Sequence, residues 1–116
     1  MASSSPYEIE EKPGYAIVYL TDSVDMSCSP QARKVILNGL QQHDHLVVDL
    51  SKVEYIDSSG VAVLVEGFQV AQSQGRKFSL LRVSEGAMNV LKLARLEQVF
   101  SIYDSEEALQ RAQAPS

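Results

Sequence analysis

The chain has 116 residues, 45% of them hydrophobic and 22% charged, which is enough for one compact core and too little for a second. Its 15 acidic residues outweigh 10 basic ones for a formal charge of -5, and the basic doublets Arg33-Lys34 and Arg76-Lys77 extend into no longer run, so nucleic acid and anionic membrane are poor partners. Cys28 is the single cysteine, which excludes an internal disulfide or a cysteine-based metal cluster and suits a reducing compartment.

Met1 to Pro6 is small and polar, without the basic and apolar stretches of a leader, and the apolar run Val61 to Val65 is too short to span a bilayer. The expectation is a cytoplasmic domain over residues 1–116, with an ordered core over about 7–113 and no direct membrane insertion. Tyr7 to Glu11 and Tyr15 to Leu20 flank Lys12-Pro13-Gly14, whose turn chemistry predicts an antiparallel hairpin. Ser29 reads as an N-cap with Pro30 at the first helical position, and Ala32, Val35, Ile36 and Leu40 recur at helical spacing, predicting a helix over 30–42.

His45 to Leu50 holds the short β-branched run Leu46-Val47-Val48, which suits a central strand covered on both faces. After a short loop, Asp57-Ser58-Ser59-Gly60 opens a second helix whose Val61, Leu64, Val65, Phe68 and Ala71 mark one face, and Gly75 stops it. Phe78 to Val83 predicts a further strand. Ser84 and Glu85 then begin a third helix, with Val90, Leu91 and Leu93 to Leu96 along its apolar side and exit. Val99 to Tyr103 predicts a last strand, and Ser105-Glu106-Glu107 starts a short helix ending near Gln113, before a frayed Ala-Pro-Ser tail. The order ββαβαβαβα predicts an α/β domain, a mixed sheet of about five strands covered by four helices.

The polar residues Asp57, Ser58 and Ser59 sit where a buried strand turns into an amphipathic helix. Unpaired N–H groups and the helix dipole there favour an anion, so Asp57 would cap the helix and a phosphate on a serine would be held. Phosphorylation would add about -1.5 to -2 charge beside Asp57 and work against an acidic or apolar partner face. The same residues also fit ordinary helix capping.

Asp57-Ser58-Ser59-Gly60-Val61, preceded by Val47-Val48-Asp49-Leu50 and Val53-Glu54-Tyr55-Ile56, resembles the STAS anti-sigma factor antagonists. Leu20 to Asp25 is similar to that family's loop between second strand and first helix, Gly75 to its turn after the second helix, and Leu91 to Phe100 to its third-helix exit. The resemblance implies a single STAS domain that binds an anti-sigma factor, itself an ATP-binding serine kinase, and is reset by a serine phosphatase. It places the phosphoacceptor at Ser58 and partner contacts around Asp25, Asp57, Ser59 and Gly60, and it implies no catalytic residue, metal or cofactor. This chain has Asp22 and Ser23 where the family's loop carries glycine and glutamate. STAS domains also serve as regulatory subunits of ABC-type membrane transport complexes, a second function the resemblance implies.

A helical wheel centred on Val61, Leu64, Val65 and Phe68 puts Ser59, Val63, Glu66 and Val70 on one outward stripe, with Ser59 farther from the core than Ser58. On that reading Val63, Glu66 and Val70 form part of a docking face. His43 and His45 flank the third strand, away from Ser58 and with no G-x-S-x-G elbow, which argues against a hydrolase and leaves solvated loop histidines without a third metal ligand. Cys28 reads as an inert small residue, and the cluster Leu91, Leu93 and Leu96 as core packing.

Overall fold

Lys12-Pro13-Gly14 turns the chain between β1 (Glu8–Lys12) and β2 (Tyr15–Val24), which pair antiparallel from Glu8↔Tyr19 to Lys12↔Tyr15. The computed structural model describes residues 7–113. The polar start Met1 to Pro6 and the Ala114-Pro115-Ser116 tail expected to fray lie outside the described residues. From β2 onward every neighbouring pair is parallel: β2 to β3 (His45–Ile56), β3 to β4 (Lys77–Leu81), and β4 to β5 (Ser101–Tyr103). The spatial order β1-β2-β3-β4-β5 is the chain order.

That monotonic order has a physical consequence. Crossovers between parallel strands are right-handed almost without exception, so a sheet that always grows in one direction puts every crossover helix on the same face. The crossovers here are α1 (Ser29–Gln42), α2 (Ser58–Ser73) and α3 (Glu85–Leu93). The large core accordingly joins Ala16, Val18, Leu46, Val48, Phe78 and Leu80 of the sheet to Ile36, Leu64 and Leu91 of these helices. The opposite face is left to α4 (Glu106–Gln113), whose Leu109 closes a small second core over Tyr15, Ile17, Val47 and Leu81. Each buried leucine of this kind contributes about 1.5–3 kcal/mol.

Several boundaries differ from the sequence expectation. β2 and β3 run on past Leu20 and Leu50, because the two strands go on pairing through an irregular register from Thr21↔Lys52 to Val24↔Ile56. β4 stops at Leu81, where Arg82 takes a left-handed φ of 48°. β5 begins at Ser101, and Val99 is exposed instead of paired. Cys28, not Ser29, occupies the cap position of α1, and it makes no side-chain capping bond. Leu93, expected in the core, is 87% exposed, because α3 ends on it and turns away through Arg95 at φ 60°. His45 is no solvated loop residue: it is buried in β3, with Nε2 2.8 Å from Ser79 Oγ and Nδ1 2.7 Å from Gln113 Oε1. Among the described residues no helix is long and apolar enough to cross a membrane.

Candidate functional site

The β2 and β3 extensions carry the site. Asp57 N–H donates to Val24 O at 3.2 Å, so the chain leaves β3 tied to the end of β2 and enters α2 directly. Asp57 is extended, at φ -103° and ψ -173°, and its Oδ1 accepts from Ser59 N (2.9 Å), Gly60 N (3.1 Å) and Ser59 Oγ (2.6 Å). The Ser59 hydroxyl, followed by the Gly60, Ser59 and Met26 backbone N–H groups, holds the Asp57 carboxyl below its ordinary 3.8 against the opposing effect of desolvation. Met26 ties the cap of α2 to the loop before α1. In that loop Asp25 accepts from Ser27 N and Ser27 Oγ, which lowers its carboxyl too. Cys28 Sγ donates to Ser23 O at 2.9 Å, so the thiol holds the loop's shape.

The two serines are unlike. Ser59 is half-buried and its hydroxyl is spent on Asp57, whereas Ser58 is exposed and its Oγ makes no hydrogen bond among the described residues. The wheel had ranked them the other way. Asp22 takes a left-handed φ of 62°, a conformation that favours glycine and that aspartate visits more readily than most other side chains.

The outward stripe needs correction. Val63 is 7% exposed and belongs to the core, Val70 is half-buried against it, and Glu66 bonds Arg33 of α1 through two contacts of 2.7 and 2.9 Å. This side of α2 faces α1, not solvent. Gly60 is buried as well: a Cβ there would lie 2.5 Å from Val24 O and 2.6 Å from Ile56, so this position lets α2 start against the strand ends and offers no side chain to a partner. A Cβ on Gly67 would meet Ile36 and Phe78 at 2.9 Å.

Gly60, Gly67 and Ala71 therefore mark the line of closest packing, and a wheel centred on them exposes Ser58, Ala62 and Gln69 instead, as observed. That row of small residues was the signal available in the sequence. Ala62 and Met26, the latter 78% exposed, are surface residues of the site that sequence reasoning missed. The exposed face beside Ser58 thus combines Ala62 of α2 with the loop of Asp25 and Met26.

A model of the STAS domain family matches residues 6–109. The chain belongs to the STAS domain family. This STAS domain is 27% identical over 101 residues to the anti-sigma F factor antagonist of Paenibacillus polymyxa, covering 85% of this chain and 86% of that protein. An anti-sigma factor antagonist from Mycobacterium paratuberculosis superposes with a TM-score of 0.84 at 20% identity, covering 98% of this chain and all of the other. The phosphorylated form of the Bacillus cell fate determinant SpoIIAA superposes with a TM-score of 0.71 at 19% identity, over 92% of this STAS domain and 99% of that chain. The α/β architecture expected from the sequence, a mixed five-stranded sheet with four helices, is the STAS fold.

Proposed function

We propose that this STAS domain is an anti-sigma factor antagonist, a regulatory binding protein and not an enzyme, which binds an anti-sigma factor when unmodified and releases it when Ser58 is phosphorylated. The observation that carries the reading is the exposed, unbonded Ser58 hydroxyl beside a capped helix start, in a chain whose relative over most of its length is an anti-sigma F factor antagonist. A phosphate on Ser58 would seek the same N–H groups that Asp57 Oδ1 already accepts from, and would place a second anion beside a carboxylate held in its charged form. Either the cap rearranges or the phosphate turns outward, and the docking face changes in both cases. The anti-sigma factor is the ATP-binding serine kinase that writes this mark, a serine phosphatase removes it, and all three act in the cytoplasm.

Incubation with its anti-sigma factor kinase and ATP is expected to add one phosphate at Ser58, read by intact-mass and fragment spectra. Phosphate on Ser59, or undiminished labelling of Ser58→Ala, would overturn the assignment. Recovery of an ABC-type ATPase in place of a kinase, when the chain is purified from its own cells, would move the function to a transport complex.

A further inference from the structure

At the end of α2 remote from Ser58, β4 starts at Lys77 while β5 joins only at Ser101, opposite Ser79, leaving a step at the edge of the sheet. The step opens into a cavity of about 350 Å³ that also borders the last residues of α2 and α4, at the small end of the ~300–1,000 Å³ typical of small-molecule sites. No Asp or Glu is among its described lining residues, although acidic residues outnumber basic ones 15 to 10 in the chain.

Its walls are rich in donors without acceptors. Lys77 is exposed and pairs with no carboxylate among the described residues. Arg76 Nη1 donates to His43 O at 3.0 Å and lies 3.4 Å from the fully exposed Asp44, but Arg76 Nε is buried with no acceptor in range. The Ser101 and Tyr103 hydroxyls make no hydrogen bond among the described residues. Cations just past a helix often serve its terminal carbonyls. Those of Val70, Ala71 and Gln72 in α2 are already satisfied by backbone, with Gln74 N–H on Val70 O (3.1 Å), Arg76 N–H on Ala71 O (2.8 Å) and Gly75 N–H on Gln72 O (3.3 Å). Lys77 has no such work to do, whereas Arg76 also serves the His43 carbonyl at the C-cap of α1, and Phe68 and Phe78 add an apolar wall beside them.

We propose that this cavity binds a phosphate group, inorganic or carried on a small organic ester, through Arg76 and Lys77 with the Ser101 and Tyr103 hydroxyls. The phosphate is not that of Ser58 in the same chain, because the 16 residues of α2 put about 24 Å between the two ends. His45 borders the cavity with its ring nitrogens engaged by Ser79 and Gln113, and a bound anion would offset the charge of nearby Lys77 that opposes its protonation.

Backbone amide spectra of the whole chain, titrated at constant ionic strength with inorganic phosphate and separately with phenyl phosphate, test the site. Saturable shifts at Lys77, Ser79 and Ser101 are expected, with affinity at least about fivefold lower in Lys77→Glu, whose exposed side chain leaves the melting temperature unchanged. Tighter binding of phenyl phosphate supports an organic ester lying on Phe68 and Phe78, and equal binding supports free phosphate. Absence of saturable shifts with both probes, or titrations unchanged in both Lys77→Glu and Arg76→Gln, overturns the proposal.

Discussion

Asp57 Oδ1 collects three hydrogen bonds from the first turn of α2, and this one atom decides which serine is available: it consumes the Ser59 hydroxyl and leaves that of Ser58 in solvent. Ser58→Asp is accordingly expected to weaken binding of the anti-sigma factor while Ser58→Ala keeps it, measured by calorimetric titration; matched affinities would remove a charge switch from the mechanism. A second pair of substitutions probes the corrected face of α2. Val63→Glu would bury an unpaired carboxylate in the core and cost about 2–4 kcal/mol, seen as a melting temperature lower by ten degrees or more. Ala62→Glu sits in solvent beside Ser58 and should change stability by no more than about 0.5 kcal/mol while weakening the partner several-fold. A stable Val63→Glu variant would contradict the packing of α2 against α1.

At the scale of elements, α4 is the helix held least. It covers its face of the sheet with one fully buried side chain, Leu109, and with polar contacts from Glu106 and Gln110 to Tyr15 and from Gln113 to His45. Burial, followed by the nearby Lys77 charge, pushes the His45 imidazole below its ordinary 6.5 against the opposing Gln113 bond. The folded domain therefore prefers the neutral ring. As pH falls below 6.5 the unfolded chain takes up a proton that the folded chain still refuses, so stability declines from there down to the lower folded value. Urea melts at pH steps between about 7 and 5 should show this decline in the wild type and a shallower one in His45→Gln. Parallel curves for the two proteins would mean that the ring is protonated as readily in place as in solvent. Leu109→Ala should cost about 2–4 kcal/mol by emptying the smaller core.

For the whole molecule, the monotonic strand order separates two tasks. Three helices stacked on one face form the larger core with the sheet, and the exposed Ser58 stands at the start of one of them. A phosphate there should act on a local surface without remodelling the fold. Phosphorylated protein is expected to melt within about 3 °C of the unmodified form, with amide shifts concentrated in Val24 to Ser27 and Asp57 to Val61. Loss of signals across the sheet would instead point to a global rearrangement.

Element order, the turn at Pro13-Gly14, the capped start of α2 and the likeness to STAS antagonists were all legible in the sequence, because each depends on residues close together in the chain. Periodicity also located Leu64 and Ala71 in the core correctly. It failed for Val63, Glu66 and Val70, because a wheel sees one apolar face and α2 has two neighbours, the sheet and α1, joined by the Arg33 to Glu66 pair across 33 positions. The burial of His45 depends on Ser79 and Gln113, and the extra length of β2 and β3 depends on their mutual pairing. Local chemistry alone therefore determined the order of the helices and strands and which tetrad could carry a switch. That α2 packs on α1 as well as on the sheet, which makes its Gly60, Gly67 and Ala71 row and not its valines the line of closest packing, was decided only when chain-distant elements came together, since burial is a property of neighbours that spacing along the chain does not contain.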